Sequence, residues 1–221
     1  MGRRALRKID PTLDYRPWLL AEDQLPSTLD VVQLFGRSAP LEIEVGTGKG
    51  LFLTRATAAE PAHLFLGIEL AGKYARYAAA RLAKLNRANG KIIHGNGVRI
   101  FHDRLADAST AAVHVYFPDP WWKTRHRKRR VMNAAFVRDI FRVLEPGGQL
   151  HFWTDVREYF DTTLELIAAT TPFPSPQFPA AEPALHDLDY RTHFERRMRL
   201  HDLPVYRAVY HKPQTQPAQP S

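Results

Sequence analysis

"LEIEVGTGKG", residues 41–50, is the stretch that decides the fold. Leu41 to Val45 form a short, largely apolar run that reads as a strand, and glycines at 46, 48 and 50 follow at once. Glycines after a strand let the backbone turn sharply and approach a ligand with no Cβ in the way. A dinucleotide fingerprint would need its third glycine at position 51, which is Leu51. A phosphate-binding loop would need a hydroxyl after Lys49, where Gly50 stands. What remains is a strand, a glycine turn and a helix, with an acid, Glu44, just before the turn.

Working outward, short apolar runs alternate with longer amphipathic ones. "GLFLTRATAAE" is helical up to Pro61, "HLFLGIEL" (63–70) is a second strand, and Tyr74, Tyr77, Ala78, Leu82 and Leu85 have helical spacing. "KIIHG" (91–95) and "AAVHVYF" (111–117) read as the third and fourth strands. Phe136, Val137, Ile140, Phe141 and Leu144 mark one face of a helix that "EPGG" (145–148) should end, and "QLHFWT" (149–154) is a fifth strand. Tyr159, Phe160, Thr163, Leu164 and Ile167 mark a further helix. The alternation predicts an α/β fold, a central, mostly parallel sheet with helices on both faces. One domain is expected over 41–212, between a basic, Pro-interrupted arm (1–40) and a polar, disordered tail (213–221).

The 221 residues suffice for one well-buried domain, and 44% hydrophobic and 24% charged content are ordinary for a globular protein. A net charge of +8 is not ordinary, and it favours a polyanionic partner, nucleic acid before anionic membrane. There is no cysteine, which rules out disulfides, thiolate zinc sites and cysteine nucleophiles. The ten histidines include no HExxH or comparable spacing, so no metal is expected. The basic N-terminal stretch lacks an apolar h-region, and no run approaches the roughly 18 apolar residues of a membrane span. A cytoplasmic protein that does not engage a membrane is therefore expected. Monomer and homodimer are equally compatible with the sequence.

Two acids close the first two strands. Glu69 lies about 20 residues past the glycines at a strand's carboxyl end, a position suited to hydrogen bonding both hydroxyls of a ribose. The alternative for Glu44 and Glu69 is a pair of solvated strand-end acids. After the fourth strand comes "FPDPWWKTRHRKRR" (117–130), a Pro-flanked acid, Asp119, two tryptophans and then a run of positive charge. Open α/β sheets bind ligands outside the carboxyl ends of their strands, where this segment faces the glycine turn. The basic run suits RNA phosphates, and Trp121 or Trp122 could stack on a splayed base. The alternatives are a solvated charged face and a tryptophan that plugs the core.

The G-x-G-x-G turn with Glu44 before it resembles motif I of the Rossmann-like class I S-adenosylmethionine methyltransferases. "EVGTGKG", "GIEL" (67–70), "FPDPWWKTRHRKRR", "TD" (154–155) and "THFE" (192–195) also occur in the order seen in bacterial tRNA (guanine-N7-)-methyltransferases. The chain resembles that family from about residue 41 to 197. The resemblance implies transfer of a methyl group from S-adenosylmethionine to N7 of a guanosine in the tRNA variable loop. It implies cofactor contacts by Glu44, Gly46, Gly48, Gly50, Glu69, Asn96 and Asp119, with Asp119 as the active-site acid. Lys123, Asp155, Thr192, His193, Phe194 and Glu195 would contact the substrate, and Arg125, Arg127, Lys128, Arg129 and Arg130 the RNA. Two positions depart from the family pattern: Asn96 stands where an aspartate is usual, and Met198 where a glycine is usual. Asn96 also reads, by itself, as a turn asparagine between two glycines.

The chemistry agrees. Guanine N7 already carries a lone pair, so its methylation needs alignment and neither deprotonation nor a cysteine nucleophile. Two rivals stand beside this reading. One is methylation of an exocyclic amine by the same fold, whose family carries acid–Pro–Pro–aromatic where this chain has "DPWW". The other is an RNA-binding module whose catalysis is weakened through Asn96 and Met198.

Overall fold

The computed structural model describes residues 6–121, 124–181 and 190–214. The elements in chain order are β1 (Leu19–Ala21), α1 (Val31–Phe35), β2 (Leu41–Val45), α2 (Leu51–Ala59), β3 (Leu64–Glu69), α3 (Gly72–Lys84) and β4 (Gly90–His94). They continue with α4 (Gly97–Arg104), β5 (Thr110–Tyr116), α5 (Ala134–Val143), β6 (Leu144–Thr154), α6 (Arg157–Thr170), α7 (His193–Leu200) and β7 (Tyr206–His211). Among the described residues seven strands form one sheet in the order β1-β4-β3-β2-β5-β6-β7, with only β7 antiparallel to its neighbour.

Strand alternation divides the core into two layers. Ile43, Val45, Leu66, Ile68, Val113, Val115, Leu150 and Phe152 face one side, where they bury against Ile100 and Phe101 of α4, Phe136 and Ile140 of α5, and Tyr159 of α6. Phe65 and Ile92 face the other side, against Phe52 and Leu53 of α2 and the alanines of α3. Ala75, Ala78 and Ala79 are fully buried, and their small side chains let α3 lie close to its neighbours. This accounts for the Ala-rich composition of a helix whose outer face is basic.

The structure departs from the sequence expectation in three places. Leu144 does not close a helix face but opens β6, and "EPGG" lies within that strand. The pairing jumps from Thr110↔Leu144 to Ala112↔Gln149, so the Pro-Gly-Gly stretch bulges out, with Gly147 at φ 82°. Two edge strands had no expectation: β1 is only three residues long, and β7 pairs antiparallel along β6 from Gln149↔His211 to Thr154↔Tyr206. Finally, residues 6–40, read from the sequence as an arm, contribute β1 and the buried Leu25 and Leu29 to the domain. Residues 1–5 of that arm and 215–221 of the tail lie outside the described residues.

Gly50 couples the glycine turn to this packing. It caps α2 at φ 69°, and a Cβ there would sit 2.8 Å from the Ala78 Cβ on α3. Gly36, after α1, has a similar φ of 73°, and a Cβ there would meet nothing within 4 Å. Gly36→Ala should therefore cost only the left-handed backbone term, about 1–2 kcal/mol. Gly50→Ala adds overpacking and should cost about 2–4 kcal/mol. Urea unfolding of the two variants measures the difference, and equal losses would contradict the close α2–α3 approach.

Candidate functional site

Because β2 to β6 run parallel, their carboxyl ends gather along one edge of the sheet. The strand order reverses at β2, which pairs with β3 on one side and β5 on the other. That edge carries the glycine turn after β2, Glu69 at the end of β3, Asn96 after β4, the Phe117–Trp121 loop after β5 and Asp155 after β6. Five segments scattered over about 110 residues of sequence thus meet at one switch point.

Gly46, Gly48 and Gly50 take φ values of 83°, 57° and 69°, which winds the turn tightly back on itself. Gly46 and Thr47 donate their backbone N–H to Ile68 O at 2.8 and 3.3 Å. Glu69 then holds the turn: Oε2 accepts from Gly48 N at 2.7 Å and Oε1 from Ala71 N at 2.8 Å. A carboxylate splinting two backbone amides is a charge-assisted contact, and each oxygen keeps a lone pair for a further donor. Leu70, next to it, is 70% exposed and offers apolar surface at the same edge.

Glu44 is the unusual member. It is 3% exposed, and its Oε2 has no hydrogen-bond partner in the protein. Burial pushes its carboxyl well above the usual range; a hydrogen bond from Thr47 offsets part of this, and the charge of Glu69 adds to it. An orphaned buried acid beside a second acid repels anions and suits a cationic ligand group, which would restore its ionisation. A pyrophosphate at this turn would meet two carboxyls.

Asn96 is the N-cap of α4. Its Oδ1 accepts from Val98 N at 3.0 Å and Arg99 N at 3.5 Å, which leaves the amide NH₂ as its donor. Its own N–H donates to Glu22 Oε2 at 2.7 Å, and Glu22 also pairs with Arg99 at 3.4 Å. Glu22, from the segment read as an arm, therefore fixes this turn. No sequence motif pointed to it.

The loop after β5 carries two bulky residues in the left-handed region, Phe117 at φ 49° and Trp121 at φ 45°. Each costs about 1–2 kcal/mol of backbone strain, the kind of cost concentrated at functional segments. Between them Asp119 is exposed. Trp121 packs inside the loop, edge-on to His126 at 5.8 Å and under the Arg129 guanidinium at 5.2 Å. Arg125 and Arg129 are exposed, as a phosphate contact requires. Arg130, expected from the sequence in the same RNA-binding set, is instead 8% exposed and turned inward, because Glu158 and the Tyr159 ring receive its guanidinium. Trp122 and Lys123 lie outside the described residues, as do the side chains of Arg127, Lys128 and His193.

"THFE" forms a helix cap. Thr192 Oγ1 accepts from Glu195 N at 3.0 Å, and Glu195 Oε2 accepts from Arg191 N at 2.7 Å. Glu195 is 3% exposed and is held by Arg207 of β7 at 3.1 Å. The Ser/Thr-x-x-Glu spacing is the signal by which this cap could have been found. Phe194 packs on Phe117 with centroids 4.8 Å apart, which brings α7 to the loop after β5. Burial raises the Asp155 carboxyl, its own backbone hydrogen bond and the Arg197 charge partly opposing. Met198 is buried within α7, so this segment is a helix and not a glycine turn.

A separate cleft of about 460 Å³ opens on the α2 face, toward the amino ends of β5 and β6. Glu42 accepts from His63 Nδ1 and His114 Nε2, both at 2.7 Å, and His114 Nδ1 meets the Tyr116 hydroxyl at 2.9 Å. Arg191 donates to that hydroxyl at 3.5 Å. Burial works to raise Glu42, but His114 and then His63 outweigh it and hold the carboxyl below its usual range. Burial lowers His114 more than Glu42 raises it, so a neutral imidazole donates to an ionised carboxylate. This chain satisfies a polar sheet face and runs up to the glycine turn: His114 pairs across from Glu44, and the Glu44 charge reaches the Tyr116 hydroxyl. Among the described residues no three His, Asp or Glu side chains are grouped to hold a metal ion, and no helix is long and apolar enough to cross a membrane.

A protein-family model described as "Putative methyltransferase" matches residues 38–208. A Rhodopirellula baltica protein named tRNA (guanine-N(7)-)-methyltransferase is 50% identical over 218 residues, covering 96% of this chain and 80% of the relative. A Chromobacterium violaceum protein of the same name is 37% identical over 142 residues, 64% of this chain and 63% of its own length. The solved structure of the 16S rRNA methyltransferase KamB superposes with a TM-score of 0.62 at 16% identity, covering 82% of this chain and 91% of that one. A SAM dependent methyltransferase from Aquifex aeolicus gives 0.55 at 13% identity, covering 82% and 87%. At those identities the structures speak for the fold alone.

Glu44 gives a pH-dependent prediction. Its folded carboxyl binds a proton more tightly than the unfolded one, so its contribution to stability is greatest at low pH. That contribution falls as pH rises past the ordinary value of 4.5. Glu44→Gln removes the dependence. Without ligand, the variant should match the wild type near pH 4.5 and exceed it increasingly toward pH 8, by up to about 1.4 kcal/mol per unit of pKa shift. Urea unfolding across that range checks it; a wild type more stable than the variant at pH 8 would contradict it.

Proposed function

The chain belongs to the tRNA (guanine-N(7)-)-methyltransferase family, and from that premise we propose that it methylates N7 of a guanosine in the variable loop of tRNA, with S-adenosylmethionine as donor. The observation that carries the cofactor assignment is the buried Glu44 carboxyl, one oxygen of which has no hydrogen-bond partner in the protein, beside Glu69 at a glycine turn. S-adenosylmethionine, when bound, supplies an electrophilic methyl on a sulfonium centre, and it brings a cationic amino group with no pyrophosphate.

Each residue then has a role. Glu44 holds the ammonium, and the open backbone of Gly46, Gly48 and Gly50 lets the ligand approach. Glu69 uses its remaining lone pairs for the ribose hydroxyls while it splints the turn. Asn96 donates its NH₂ to an adenine ring nitrogen, Oδ1 being spent on the α4 cap. Asp119 accepts from the N–H edge of guanine, which orients N7 toward the methyl and offsets the positive charge developing on the purine. No base is required, because N7 has a lone pair to give.

Lys123, Asp155, Thr192, His193 and Phe194 contact the guanine. Thr192 keeps its O–H as a donor, whereas Glu195 acts by holding the cap. Arg125, Arg127, Lys128 and Arg129 take phosphates, and the net charge of +8 draws the tRNA in. The cytoplasm, where tRNA matures, is the place of work.

The test is nuclease digestion of unmodified tRNA incubated with the protein and S-adenosylmethionine, with mass identification of the methylated nucleoside. 7-Methylguanosine is expected, and Asp119→Asn should lower kcat by about 10²–10³-fold. A methyl on an exocyclic amine would transfer the assignment to the rival chemistry. Bound tRNA with no methyl transferred would leave only an RNA-binding module.

A further inference from the structure

Arg130 ends a run of positive charge but does not share its environment. Its side chain is 9% exposed, and the guanidinium is engaged along its Nε and Nη edges and on one face. Nε donates to the carbonyl of Pro120 at 2.7 Å. The Nη atoms reach the Glu158 carboxylate on α6 at 3.1 and 3.5 Å. The plane lies over the Tyr159 ring at 4.5 Å. Burial pushes the Tyr159 hydroxyl up to about 12, opposed by its bond from Met132 and the Arg130 charge; the Asp119 charge adds to the rise, so that carboxylate is felt at the same cluster.

We propose that Arg130 is a positioning residue that clamps the Pro118–Asp119–Pro120 loop to α6 and so sets where the Asp119 carboxylate stands. This rests on the role given to Asp119 above. The need for a clamp follows from the sequence. Pro118 and Pro120 have no N–H, so two of the backbone donors that could tie down the segment around Asp119 are missing. It also carries left-handed Phe117 and Trp121, conformations that persist only where surrounding contacts impose them.

The clamp must supply donors in two directions from one buried group. Arginine does this, with Nε toward the loop and the Nη pair toward the helix, and its flat face stacks on an aromatic ring. Lysine has a single charged nitrogen and cannot span both. A phosphate would have to displace Glu158 and Pro120 to reach Arg130, whereas Arg125 and Arg129 are exposed. The basic run is therefore divided: its exposed arginines face RNA, and its last member holds the loop from behind.

Arg130→Lys tests this against Arg129→Gln. Hydrogen–deuterium exchange should rise over residues 117–133 in Arg130→Lys and stay unchanged over β2 and β3. The kcat for 7-methylguanosine formation should fall at least tenfold, while tRNA affinity and its salt slope hold. Arg129→Gln should instead weaken tRNA binding and flatten the log–log salt slope by about one. Glu158→Gln, which keeps the shape of the partner, should raise exchange in the same loop. Combined with Arg130→Lys, it should add little, because both act through one contact.

Unchanged loop exchange in Arg130→Lys overturns the proposal, as does a salt slope flattened like that of Arg129→Gln. Raised exchange with an unaltered kcat reduces Arg130 to a brace without influence on Asp119 and overturns it too. If the wild type forms no 7-methylguanosine, the functional reading falls, and the clamp stands or falls on exchange alone.

Discussion

A carboxyl group sealed from water with an oxygen unpaired opposes folding, and the site is organised around one such group, Glu44. It stands on the central strand, on the face that α2 covers, one residue before the turn. Glu69 lies close enough for its charge to push the Glu44 carboxyl further up. Two acids held close together at the turn suit a cationic ligand group. The same Glu69 fixes the turn through Gly48 and Ala71, so the group that makes the site acidic also makes it rigid.

The parallel sheet supplies the geometry for this chemistry, and the edges supply the fine positioning. Glu22 near β1 holds the turn at Asn96, and Arg207 on β7 holds Glu195 in the α7 cap. Neither residue lies in a segment where a ligand is expected. Each is a charged group that satisfies a backbone or side chain at the working edge, so the ends of the sheet act as braces for its middle. On the same face of the sheet as Glu44 the Glu42–His114–Tyr116–Arg191 chain meets the same need, a polar surface satisfied from within.

The central strands, their helices and the meeting of Glu44, Glu69, Asn96 and Asp119 were legible in the sequence, Asp155 being added only by the family resemblance. They follow from local signals: apolar runs, glycines at strand ends and the carboxyl-edge rule for parallel sheets. What was not legible depends on distant partners. β1 has three residues and no period, and it is a strand only because β4 pairs with it. Arg130 looks like its neighbours in sequence, and only the fold shows that Glu158 and Tyr159 wait behind it. "EPGG" carries true turn chemistry, but β5 and the end of β7 hold it as a bulge within a strand. "THFE" and "YRAVYH" are different, since cap spacing and alternation were there to be read.

The most direct test is to follow the Glu44 side-chain carboxyl by carbon NMR as pH is varied, first in the free protein and then with saturating S-adenosylmethionine. A titration well above the ordinary carboxylate range is expected in the free protein. It should fall toward or below that range once the ligand's ammonium is in place. A Glu44 that titrates normally in the free protein, or that does not move when the ligand binds, would contradict the role given to it here.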